Sequence, residues 1–163
     1  KITEFNKLSP EGHLAVDDEL VVPDGIKTGA TAAKPGTTAY RFSHLPDLGD
    51  FFLVPTIGHN WRRIHGRNGV DVANSCGTPI FASADGPAVL VDGVGWNGGF
   101  GKFIKITHSN GTETLYAHLS KILIGSGVFV QRGQQIGLTG TTGRSTGCHL
   151  HFEVHGAKNP LAK

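Results

Sequence analysis

The sequence predicts a mainly β fold of short antiparallel strands, and three observations carry that expectation. Glycine fills 24 of 163 positions, about twice the usual ~7%, so tight turns and close backbone approaches are over-represented. From Asp50 onward, short runs rich in β-branched and aromatic residues alternate with glycines: FFLV, GTPIFA, PAVLVDG, GKFIKITH, TETLYAHL, GVFVQRG, QQIGLTG and HLHFEV. That is the pattern of an all-β sandwich or barrel. Between GKFIKITH and TETLYAHL stands Asn110-Gly111, a strong hairpin signal because a type I′ turn needs positive φ at both central residues.

Length and charge bound the remainder. A chain of 163 residues, 38% of them hydrophobic, has room for one good core. Fifteen basic against thirteen acidic side chains leave a formal net charge of +2, which disfavours nucleic-acid binding by charge. No apolar run approaches the ~20 residues that span a bilayer. The chain opens at Lys1 without an apolar signal segment and so reads as a processed form or an excised piece. Residues 1–25 hold scattered apolar positions between Pro and Gly and form an N-terminal arm. Residues 26–46, including KTGATAAKPGTT, have the small, polar composition of a linker. The main domain is placed at 47–163.

In the hairpin, a two-residue loop at Asn110-Gly111 would pair Ser109 with Thr112, Ile106 with Leu115, Ile104 with Ala117 and Phe103 with His118. Ile104, Ile106, Leu115 and Ala117 would then share one apolar face, with Lys105, Tyr116 and His118 on the other. On that register His108 faces Glu113 as an ordinary exposed pair. His13, His44, His59 and His155 have no partner spacing and read as surface residues.

The segment most informative for chemistry is Gly147-Cys148-His149-Leu150-His151-Phe152-Glu153-Val154. The strand period of two places His149, His151 and Glu153 on one face and Leu150, Phe152 and Val154 on the other. Two imidazoles side by side on one face suggest a shared partner such as a metal ion. A second segment, His65-Gly-Arg-Asn-Gly-Val-Asp71, can bring an imidazole and a carboxylate to the same ion. His65, Asp71 and one histidine of the HxH pair would make three ligands with a fourth position open, the catalytic rather than the structural zinc pattern.

The run from about Gly58 to Leu161 resembles the lysostaphin/LytM-type zinc metalloendopeptidases of bacterial cell walls. The resemblance rests on His65 to Asp71, CGTPIFASADGPAV, GFGKFIKITHSNGTETLYAHLS, VQRGQQIGLTGTTGRSTG and HLHFEV in that order. It implies a groove formed over antiparallel sheets, related in shape to barrel-sandwich hybrids. It also implies one Zn²⁺ held by His65, Asp71 and His151, with His118 and His149 as the catalytic pair. The implied substrate is the peptide stem or cross-bridge of peptidoglycan, met by a secreted or periplasmic monomer. EFNKLSP followed by LAVDDELVVPDG resembles the trailing half of a LysM peptidoglycan-binding module.

The sequence departs from that family in two places. The commoner first motif is HxxxD, whereas five residues separate His65 from Asp71 here, so Arg67 and Asn68 must form a small excursion. Cys148 replaces the usual Pro before HLH. Its side chain should share the Leu150 face, away from the metal, which makes a Cys148/His149 nucleophilic dyad geometrically poor and favours a Cys76–Cys148 disulfide in an oxidising compartment. With no HExxH helix to supply a Glu base, proton transfer falls to His118 and His149. Two other readings compete. One is a catalytically silent relative that binds peptidoglycan or activates another wall hydrolase, against which all five expected residues are present. The other is a biotinyl/lipoyl-type carrier, which would need a Lys at a hairpin tip where Asn110-Gly111 stands.

Overall fold

The computed structural model describes residues 41–162. The arm at 1–25 with its LysM resemblance, His13 and most of the 26–46 linker lie outside the described residues. Ten strands follow in order: β1 (His59–Asn60), β2 (Gly69–Ala73), β3 (Pro79–Phe81), β4 (Gly86–Asp92), β5 (Phe103–Thr107), β6 (Glu113–Ala117), β7 (Leu119–Ile122), β8 (Phe129–Val130), β9 (Gln135–Thr139) and β10 (His149–His155). Short 3₁₀ turns occur at Gly49–Phe51 and Asn97–Gly99. The fold is mainly β, as expected, and open rather than a closed barrel. A seven-stranded sheet runs β1-β2-β10-β6-β5-β4-β8 and a three-stranded sheet runs β3-β9-β7.

Alternation along the strands gives the large sheet two different faces. Val70 and Val72 of β2, Ile104 and Ile106 of β5, Tyr116 of β6, and Leu150, Phe152 and Val154 of β10 are buried in one cluster with Ile80, Leu119 and Ile136 of the small sheet. The core therefore sits between the sheets. The opposite face of the large sheet carries Asp71 beside His151, and His151 beside Ala117, in the β2-β10-β6 register. A smaller apolar cluster, Phe103, Leu115 and Ala117 with Phe100 against it, backs that polar face.

Four expectations are corrected. The FFLV run is not a strand: Phe51 ends a 3₁₀ turn, and Phe52 anchors the extended segment after it in the core. The β5–β6 hairpin pairs Ile104 with Tyr116 and Ile106 with Thr114, one residue off the two-residue-loop register. Its loop has three residues, Ser109-Asn110-Gly111, closed by His108 N–H donating to Thr112 O at 2.8 Å and Gly111 N–H donating to His108 O at 3.0 Å. Gly111 takes φ +80°, and the Asn110 side-chain oxygen accepts from Thr112 N–H at 3.0 Å, so a left-handed third residue closes the loop. The slip exchanges faces: Tyr116 joins Ile104 and Ile106 in the core, while Leu115 and Ala117 turn to the other side.

His108 is consequently not an exposed partner of Glu113. It is buried, with Nδ1 at 2.8 Å from Asp85 O and Nε2 at 2.9 Å from Thr114 Oγ1. Thr114 Oγ1 in turn meets Tyr116 Oη at 2.9 Å. The TETLYAHL run is also split. Its chain leaves the large sheet after Ala117 and enters the small sheet at Leu119, turning at His118 with φ +62°.

Candidate metal centre and active site

The site is assembled where β2, β10 and the turn at His118 meet. Asp71 Oδ1 lies 2.9 Å from His65 Nε2 and 2.8 Å from His151 Nδ1, with His149 Nε2 at 3.9 Å. One ligand atom from each of His65, Asp71 and His151 falls within 4.8 Å of the other two. The two extra residues after His65 are absorbed by a tight excursion. His65 and Gly69 exchange backbone hydrogen bonds of 2.9 and 2.8 Å, and Asn68, at φ +62°, donates through Nδ2 to Val154 O and Ala157 O at 2.7 and 2.8 Å. Gly69 leaves room for the His151 ring, since a Cβ there would lie 2.4 Å from His151 Cε1.

His118 and His149 stand next to this cluster with ring centroids 4.7 Å apart. Strict alternation after Ala117 would send His118 into the core; its left-handed backbone keeps the ring on the site face. Such strain in a non-glycine residue is a common feature of functional positions. His118 Nδ1 is 2.8 Å from Thr142 O, and His149 Nδ1 is 2.8 Å from Gly147 O. A carbonyl can only accept, so both rings carry a proton on Nδ1, and in the neutral tautomer the lone pair stands on Nε2. The loop holding Thr142 is itself fixed by Arg144 N–H donating to Gly99 O at 2.7 Å and by Lys102 N–H donating to Thr142 Oγ1 at 3.0 Å.

The electrostatics follow from burial and pairing. Burial opposes ionisation of Asp71, but hydrogen bonds from His151 and His65 override it and hold the carboxyl well below the usual range. Burial likewise works against a charged His151, while Asp71 and Glu153 on its two sides raise it to about 9. His118 is held low by burial, with His149 and His151 nearby adding to the effect, so its ring is neutral at neutral pH. Glu153 carries a signal that the sequence held without a role for it. It lies on the same strand face as His149 and His151, is 2% exposed, and meets His151 Nε2 at 3.1 Å and His155 Nε2 at 2.8 Å. His155 is thus half-buried and bonded rather than merely solvated, whereas His44 and His59 are exposed as expected.

The cluster opens into a cleft of about 660 Å³ whose lining includes Gly99, Phe100, Ser145 and Thr146 and the exposed Arg67 and Arg144. Two imidazoles and one carboxylate suit a zinc ion and leave a coordination position open. Cys148 is not part of this chemistry: it is bonded to Cys76, with 5.2 Å between the Cα atoms.

The chain is 50% identical over 103 residues to a DD-carboxypeptidase/endopeptidase, Mpg, of Neisseria meningitidis, covering 63% of this chain and 22% of that protein. It is 45% identical over 93 residues to the peptidoglycan DD-endopeptidase ShyA of Vibrio cholerae, covering 57% and 21%. It thus spans about a fifth of the length of these curated relatives. Among solved structures, a zinc containing peptidase from Vibrio cholerae superposes with a TM-score of 0.50 at 36% identity, covering 70% of this chain and 36% of that one. Peptidase family M23 matches residues 65–163, a span that takes in His65, Asp71, His118, His149 and His151. With that match over more than half its length, the chain belongs to peptidase family M23.

Proposed function

We propose that this chain is the catalytic part of a zinc endopeptidase that hydrolyses peptide bonds in the stems or cross-bridges of bacterial peptidoglycan, with residues 47–163 as its catalytic domain. The observation that carries the proposal is the convergence of His65 Nε2, Asp71 Oδ1 and His151 Nδ1 beside the paired rings of His118 and His149 in an open cleft. The names of the relatives support the substrate, and the zinc containing neighbour supports the metal. Action on the cell wall would put the protein in a secreted or periplasmic location, and a Cys76–Cys148 disulfide suits such an oxidising compartment.

His65, Asp71 and His151 would hold the ion, which supplies Lewis acidity toward a carbonyl oxygen and an activated water. The remaining chemistry belongs to protein groups. With Nδ1–H committed to Thr142 O, neutral His118 offers Nε2 as a proton acceptor, and His149, with Nδ1–H on Gly147 O, offers a second one. One of the pair would take a proton from the attacking water and return it to solvent, while the other, having taken up a proton from solvent on Nε2, would donate to the oxyanion or to the departing amine. Phe100, 5.9 Å from His151 between ring centroids, covers the ligand with an apolar wall that limits water access.

The test is metal content of the purified chain together with chelator-reversible digestion of purified peptidoglycan, followed by analysis of newly freed amino termini. About one zinc per chain and new termini are expected. Zinc without cleavage of several wall types would favour the silent relative, and absence of zinc uptake would refute the metal centre.

A further inference from the structure

Beyond the ligand set, the polar face of the large sheet carries a continuous ladder of alternating basic and acidic side chains. Lys105 Nζ on β5 lies 2.7 Å from Glu113 Oε2 on β6. Glu113 Oε2 lies 3.6 Å from His155 Nδ1 on β10, and His155 Nε2 lies 2.8 Å from Glu153 Oε2. Glu153 Oε1 then meets His151 Nε2 at 3.1 Å, and His151 Nδ1 meets Asp71 Oδ1 at 2.8 Å. The order follows from register, because His155 pairs with Glu113 across β10–β6 and His151 pairs with Asp71 across β10–β2.

Glu153 is the informative member. A carboxylate with 2% exposure has lost its water, and buried charges persist where they are paired and hydrogen-bonded. Each of its oxygens has one donor, His151 Nε2 and His155 Nε2. His151 Nδ1 faces Asp71, the side on which the candidate ligand atoms converge, and Nε2 faces Glu153. A ring bound to a metal through Nδ1 keeps its one proton on Nε2, where a carboxylate can accept it. Metal-binding histidines commonly have the second nitrogen fixed in this way by an outer carboxylate.

We infer that Glu153 is a positioning residue that selects Nδ1 of His151 as the metal-binding nitrogen, and that His155, backed by Glu113 and Lys105, holds Glu153 through its second oxygen. The inference rests on the proposed metal centre and adds to it how its most buried ligand is aimed. Glu153 touches neither the metal position nor the cleft's reacting groups directly; it acts through His151.

Two measurements test it. In the zinc-loaded parent protein, long-range ¹H–¹⁵N correlation spectra of the His151 ring should show Nε2 protonated, with its proton slow to exchange. A ring protonated on Nδ1 would overturn the inference. In Glu153→Gln, zinc affinity read by chelator competition should fall about 10- to 100-fold with an unchanged far-UV circular dichroism spectrum. In His155→Gln the fall should be a smaller one of a few-fold, because that side chain acts one step further out. Affinity within twofold of the parent in Glu153→Gln would also overturn the inference. If Glu153→Gln does not fold, the parent spectrum and the half-exposed His155→Gln decide. A parent protein that takes up no zinc would instead refute the metal centre itself.

Discussion

Replacing Gly69 by Ala adds one methyl group at the most crowded point of the site, and the consequence can be worked from distances. The new Cβ would lie 2.4 Å from His151 Cε1 and 2.8 Å from Nε2, where an ordinary carbon contact is about 3.5 Å. The ring must therefore move by about 1 Å. It cannot do so freely, because it is 6% exposed and held between Asp71 at 2.8 Å and Glu153 at 3.1 Å. Metal–ligand distances tolerate about 0.2 Å, so the shift is several times what the coordination sphere can absorb. Zinc affinity should fall at least 100-fold, about 2.8 kcal/mol, and the metal-free fold should lose about 1–3 kcal/mol from overpacking. Gly69 does not occupy the left-handed region, and Ala in place of a strand Gly ordinarily helps stability. The sign of the effect therefore separates the ring clash from a backbone effect. Chelator competition gives the affinity and urea unfolding of the chelated protein gives the stability. A Gly69→Ala protein with zinc affinity within threefold of the parent and no loss of stability would refute the reasoning.

The proposed ligands and the proposed catalytic pair should separate cleanly by assay: Ala at His65, Asp71 or His151 should abolish zinc retention on dialysis, while Ala at His118 or His149 should keep one zinc and lose turnover. Full hydrolysis by a His118→Ala, His149→Ala double variant would sink the assignment. Reducing the Cys76–Cys148 bond, which spans 72 residues of sequence, should lower the free energy of unfolding by about 4 kcal/mol on the chain-entropy account, seen as a lower urea midpoint with reductant present; equal midpoints would count against it. His108 provides a pH test. Burial holds its imidazole below its ordinary value despite the nearby Asp85 carbonyl and the Asp85 and Glu113 carboxylates, so the unfolded chain binds this proton more readily than the folded one. Its contribution is therefore complete above about pH 6.5 and is lost as pH falls from there toward its folded value. His108→Gln should flatten the fall in stability between pH 7 and pH 5 measured by urea midpoints, and an identical slope would refute that origin.

Much of the site was legible because strand geometry is local. The period of two in His149-Leu-His-Phe-Glu-Val154 already separates imidazoles from core residues, and the structure keeps that division, with Leu150, Phe152 and Val154 buried in the core cluster. The Cys76–Cys148 bond was likewise readable, since the alternation turns Cys148 away from the histidine face and the structure joins it to Cys76. What the sequence could not supply depends on contacts between segments distant along the chain. The hairpin register turned on one left-handed glycine, Gly111, and that single step decided that Tyr116 and His108 are buried while Leu115 changes face. His118 reaches the site only because the chain passes from one sheet to the other at that residue, a backbone reversal that no side-chain pattern announces. Glu153 was visible as a neighbour of His151, but its partner His155, and Glu113 and Lys105 behind it, come from the pairing of β10 with β6 and β6 with β5. The residues alone determined which groups the protein has for chemistry and on which side of their own strand they stand. Tertiary structure decided which of them meet, because register and left-handed turns act between strands, where local periodicity carries no information.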